Sequence, residues 1–133
     1  MSTATQDAPT QDRVILLIAE DEESNYLLLK TILQKHCDLI RAKTGKEALE
    51  KFQENTVDLI MLDIKMPEMT GIEALKELRK INQDIPIIMQ SAYVFDSDME
   101  EARQAGATDF ITKPINLKVL KETLTKYCPA LQF

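Results

Sequence analysis

Five short runs of branched apolar residues, separated by stretches with helical spacing, leave few folds open to this chain. The runs are Val14 to Ala19, Asp38 to Ala42, Val57 to Leu62, Ile85 to Gln90 and Thr108 to Thr112. Strands that alternate with segments of crossover length form βα units around a parallel sheet. The first, third and fourth runs are almost wholly apolar, as strands covered on both faces must be, while the second is shorter and more polar, which places it at an edge. Helix starts stand between the runs. Thr44-Gly45-Lys46-Glu47 and Thr70-Gly71-Ile72-Glu73 both have capping-box form, in which hydroxyl and carboxylate each satisfy an orphan backbone N–H. Asn116 caps an apolar stripe of Leu117, Leu120, Leu124 and Tyr127, and Gly106 sits where a left-handed residue closes the fourth helix. At 133 residues the chain is one domain's worth. A domain of that size buries roughly two thirds of its unfolded surface, enough for a core without disulfide or metal staples.

In an open α/β sheet, ligands bind beyond the carboxyl ends of the strands. The first strand ends in Glu20-Asp21, the third in Asp63, the fourth in Ser91 and the fifth in Lys113-Pro114; the second ends in Ala42-Lys43-Thr44 and adds no acid. Each residue taken singly has an ordinary role. Glu20 to Glu23 can complement a helix dipole, Ser91 can cap a turn, and Lys113 can be a solvated lysine. Four strands delivering complementary groups to one rim require another account. Carboxylates gathered within a few ångströms repel one another, and a hard divalent cation relieves that repulsion. Magnesium fits best, because it retains water and commonly joins one or two carboxylates to a phosphoryl group. A lysine and a hydroxyl opposite would neutralise the equatorial oxygens of a phosphoryl in transfer. Asp63, centrally placed, can then be the nucleophile, and a carboxylate that attacks phosphorus gives an aspartyl phosphate.

The motifs IAEDE around Glu20 and Asp21, MLDIKMPEMTGIEAL around Asp63, QSAY around Ser91 and AGATDFITKPI around Lys113 carry a resemblance. Over Val14 to Tyr127 the sequence resembles the receiver domain of two-component response regulators. The resemblance implies a flavodoxin-like (βα)5 three-layer sandwich with strand order 2-1-3-4-5. It implies that Asp63 accepts a phosphoryl group from the phosphohistidine of a sensor histidine kinase or a histidine phosphotransfer domain. Asp21 would bind Mg²⁺ directly, Glu20 through metal-bound water, and Asp63 and the backbone carbonyl of Lys65 would complete the protein ligands. Ser91 would hydrogen-bond the phosphoryl group. Lys113 would pair with Asp63 at rest and with the phosphoryl group afterwards, held by a cis Lys113-Pro114 bond. Ser91 moving inward and the Phe110 ring turning would repack the face of the fourth helix, fifth strand and fifth helix, where a partner or a second copy could dock. Such a domain catalyses its own phosphorylation and dephosphorylation and has no separate substrate. Lys65 and Tyr93 flank the path of water to the phosphoryl group and are expected to slow its loss. Tyr93 and Phe95 would either be exposed on the partner face or cover the fourth helix.

Several classes are excluded or disfavoured. A net charge of −6 repels nucleic acid and anionic membrane surfaces. The longest apolar stretch, Val14 to Ala19, is six residues, far short of the roughly 20 that a spanning helix needs. Residues 1–12 are small and polar, read as a flexible leader or linker before a domain over 13–133, and they lack the apolar segment of a signal peptide. That places the protein in the cytoplasm. Cys37 and Cys128 have no paired spacing and read as inert reduced thiols, and His36 reads as a helix-end residue. With Phe133 soon after the fifth helix, no output domain is expected within these residues. Two other classes compete with the leading one. A receiver-like interaction module without chemistry would not need the full set of acids, hydroxyl and lysine. An aspartate-nucleophile phosphatase would want an acid where Lys65 stands, and no GxxxxGK or GxGxxG is present to cradle a nucleotide.

Overall fold

The computed structural model describes residues 13–92 and 96–133. In chain order the elements are β1 (Ile15–Ala19), α1 (Glu23–Leu33), β2 (Asp38–Ala42), α2 (Gly45–Glu54), β3 (Leu59–Asp63), α3 (Gly71–Ile81), β4 (Ile87–Ser91), α4 (Asp96–Gln104), β5 (Asp109–Thr112) and α5 (Leu117–Tyr127). All four strand pairings are parallel, and the sheet runs β2-β1-β3-β4-β5. This is the expected flavodoxin-like order. The strand period of two divides the core into two layers. Leu17, Ile60, Leu62, Ile87 and Met89 pack with Ala48, Leu75, Leu78 and Ala102 from α2, α3 and α4. Leu16, Ile18, Leu59, Met61, Ile88 and Ile111 pack with Leu29 and Leu33 of α1 and Leu120 and Leu124 of α5. As its polarity predicts, β2 is an edge strand, half-buried over Asp38–Arg41.

Strand ends shift by one or two residues from the apolar runs. Regular pairing in β4 starts at Ile87, because Pro86 has no N–H to donate and the Ile85 carbonyl is taken by Arg79 Nη1 at 2.7 Å. Before β3, Asp58 pairs with Ile15 through its backbone N–H and accepts the Ile15 N–H on its carboxylate at 2.9 Å, so the strand proper begins at Leu59. The capping boxes differ. Thr70 and Glu73 form the complete reciprocal pair at the start of α3. At α2, Thr44 accepts from the Glu47 N–H, but the Glu47 carboxylate accepts from the N–H of Lys43, not Thr44, a correction to the sequence reading. Thr44 is more extended, with φ of −138° against −66° at Thr70, and that turns the preceding N–H toward Glu47 instead. Asn116 caps α5, and Gly106, at φ 106°, closes α4 with a bond from the Ala107 N–H to the Ala102 carbonyl.

Cys37 lies in the α1/α5 layer, where burial pushes its thiol up to about 11 from an ordinary 9.0. A neutral buried thiol is a packing group, in line with its sequence reading. Since the folded thiol ionises above the unfolded one, its contribution to stability is complete below pH 9.0 and is lost as pH rises toward about 11. Ionisation of Cys37 should therefore contribute a fall of about 2 kcal/mol in urea-unfolding stability between neutral pH and about pH 10.5, by which the fall in Cys37→Ala should be smaller than in wild type. An equal fall in that variant would exclude Cys37 as its source. Residues 1–12, Tyr93 and Phe95 lie outside the described residues. Among those described, no helix is long and apolar enough to cross a membrane.

Candidate functional site

The carboxyl edge of the sheet opens into a cavity of about 240 Å³ lined by Glu20, Asp21, Glu22, Asp63, Lys65, Ser91, Ala92 and Lys113. Each residue arrives there by the end of a strand. Asp63 is the last residue of β3 and Ser91 the last of β4; Glu20 follows β1, and Lys113 follows β5. The six residues that sequence reading assigned to phosphoryl and metal chemistry therefore share one hollow. Phe110 is not among its lining residues. It sits two places before Thr112, the register partner of Ser91, and is itself opposite Met89 in the α2/α3/α4 layer, so its ring shares the Ser91 face of the sheet. The Arg103 guanidinium of α4 lies 5.3 Å from its ring centre.

Lys113 organises the floor of the hollow. Its ammonium donates to Asp63 Oδ2 at 2.7 Å and to Glu20 Oε1 at 2.8 Å, with the lysine side chain 13% exposed, Asp63 8% and Glu20 0%. Burial alone would lower the lysine's proton affinity, but the bonds to the two carboxylates outweigh it and hold the ammonium above its ordinary pKa. For Glu20 burial dominates and raises the carboxyl, with the charge of Asp63 adding to it and Lys113 opposing. The second oxygen of each acid is also occupied: Glu20 Oε2 accepts from the Glu22 N–H and Asp63 Oδ1 from the Lys65 N–H, both at 3.1 Å.

Local chain geometry sets these positions. Gly71 donates its N–H to the Ile64 carbonyl at 2.8 Å, folding the loop after Asp63 back so that α3 starts against the end of β3. A side chain at Gly71 would collide with the Asp63 carbonyl. The Lys113 N–H donates to the Ser91 carbonyl at 2.8 Å, and the Lys113-Pro114 bond is cis. Sequence reading foresaw neither the Glu20–Lys113 bond nor the part played by Arg41. Arg41, near the end of β2, donates Nε and Nη2 to the Glu20 carbonyl at 3.2 and 3.1 Å. A cation one residue before the end of an edge strand, beside an acidic loop on the neighbouring strand, was the available signal.

Glu20, Asp21 and Asp63 offer carboxylate oxygens that all lie within 4.8 Å of one another. Three carboxylates facing one ammonium form an oxygen-rich donor set with residual negative charge, which fits a hard divalent cation. The family model for the response regulator receiver domain matches residues 16–125. The chain belongs to the response regulator receiver family. This receiver domain is 41% identical over 113 residues to the chemotaxis protein CheY of Bacillus subtilis, covering 84% of the chain and 94% of that protein. It is 34% identical over 118 residues to the transcriptional regulatory protein ZraR of Escherichia coli, covering 88% of the chain but only 27% of ZraR. The chain thus spans about a quarter of that regulator's length. Among solved structures, the Ssk1 receiver domain of Saccharomyces cerevisiae, crystallised with the histidine phosphotransfer protein Ypd1, superposes with a TM-score of 0.80 at 30% identity, covering 86% of this chain and 88% of that one.

Proposed function

We propose that this receiver domain takes a phosphoryl group from phosphohistidine, on a sensor histidine kinase or a histidine phosphotransfer domain, onto Asp63. The observation that carries the reading is a carboxylate at a strand end held by an ammonium at 2.7 Å, beside two further acids within 4.8 Å. In the transfer the nitrogen–phosphorus bond breaks as an Asp63 oxygen bonds to phosphorus, and the histidine nitrogen keeps the electron pair. Glu20, Asp21, Asp63 and the Lys65 carbonyl would hold Mg²⁺, which when bound neutralises charge on the phosphoryl oxygens. Lys113 moves from the Asp63 carboxylate to a phosphoryl oxygen, and Ser91, from the adjacent strand end, donates its hydroxyl to another. Ser91 and Phe110 project from one face of the sheet, so motion of the first frees or fills space for the second. The α4, β5 and α5 surface then changes shape for a partner or a second copy. For the phosphodonor, α1 offers Leu27 and Leu28, both nearly half exposed, with Leu117 of α5 on the same side of the sheet.

Incubation with acetyl phosphate and Mg²⁺ should place one phosphoryl group on each wild-type chain, read by intact mass, and none on Asp63→Asn. An unmodified wild type, or an equally modified variant, would overturn the assignment. An interaction module without chemistry predicts the first of those results.

A further inference from the structure

We infer that Arg41 is a positioning residue for cation capture, acting through the β1–α1 loop and not by touching the ion. The inference rests on the reading of Glu20, Asp21 and Asp63 as a Mg²⁺ site. Arg41 stands opposite Ile18 in the register of β2 and β1, on the sheet face covered by α1. Its guanidinium lies 4.4 Å from the ring centre of Tyr26 in α1. Two of its nitrogens converge on the Glu20 carbonyl, and the third donates to Glu23 Oε1 at 2.7 Å. With the Glu20 N–H already bonded to the Ala42 carbonyl at 2.9 Å, both ends of that residue's backbone are tied to β2. The direction in which the chain leaves Glu20, and so the place of Asp21, is set from the edge strand.

The planar fork is what makes this possible. Lysine carries the same charge but cannot direct fixed N–H bonds in two directions while lying flat on a ring. A competing effect has the opposite sign. A cation close to a metal site repels the metal, so if charge were all that mattered, removing Arg41 would tighten Mg²⁺ binding. Partners that orient ligand residues at metal sites are commonly worth about 10- to 100-fold in affinity. The bonds to Glu20 reach its backbone and not its carboxylate, so about tenfold is expected.

Mg²⁺ titrations of the apo chain, followed by amide NMR shifts around Asp21 and Asp63, separate the possibilities. Arg41→Lys and Arg41→Gln should both weaken Mg²⁺ by about tenfold, with Tyr26→Leu moving the same way by less. Unfolding in EDTA shows whether each variant remains folded at the titration temperature. If Arg41→Gln binds more tightly and Arg41→Lys is unchanged, charge alone acts and the inference fails; unchanged affinity in both variants also overturns it. Wild-type protein that takes up no Mg²⁺, or takes it up equally well as Asp21→Asn, would instead remove the metal site itself and the inference with it.

Discussion

Lys113→Met should lower the unfolding free energy by about 3 kcal/mol in EDTA, the scale on which removal of one partner strands buried opposite charges. The size follows from the two acids that this lysine serves. Glu20 has no exposed surface and Asp63 is nearly buried, so neither can recover its lost bond from bulk water. Methionine fills the lysine's volume, which leaves charge as the main change. The variant should also respond to Mg²⁺ differently from wild type. A cation among Glu20, Asp21 and Asp63 supplies the positive charge that the lysine no longer provides, so millimolar Mg²⁺ should raise the melting temperature of Lys113→Met more than that of wild type. Urea unfolding in EDTA and thermal unfolding with and without Mg²⁺ check both halves. Equal stability in EDTA would mean that the ammonium contributes nothing net at this position.

A second large effect is expected from backbone packing alone. Gly71→Ala places a methyl group into the Asp63 carbonyl, with the Asp63 carbonyl carbon at 2.7 Å and Ile64 Cα at 2.8 Å. All three neighbours are backbone atoms, which cannot swing aside as a side chain would. Relief requires that α3 and the end of β3 separate, and the loss should be about 3 kcal/mol, at the upper end for overpacking. Because the displaced atoms belong to Asp63, acetyl phosphate labelling should slow in the same variant even where it remains folded. Wild-type stability together with wild-type labelling would show that the loop yields without cost, contrary to this close approach.

The strands and helices were legible because their signals are local. Short unbroken apolar runs that end at an acid mark β1 and β3 from their own residues, and Thr70 with Glu73 announces the start of α3 within four positions of chain. The edge position of β2 could be read from its polarity, since an uncovered strand need not be apolar. Where neighbours intervene, the local signal fails. Pro86 and Arg79 move the start of β4, and the backbone of Thr44 redirects half of a capping box. Strand order had no local signature at all and entered through resemblance to a family.

The candidate site divides in the same way. Which residue types end which strands can be read along the chain, because a strand's end is marked by the loss of its apolar pattern. The same reading puts Glu20, Asp21, Asp63, Ser91 and Lys113 on one rim of a parallel sheet, where they line one cavity. The bonding partners follow from the packed sheet. Lys113 meets Glu20 across 93 positions of chain and Arg41 meets it across 21, and those contacts exist because parallel strands bring distant residues side by side. A pattern along the chain records the face on which a side chain lies, whereas a hydrogen bond depends on ångström distances that only the packed sheet establishes.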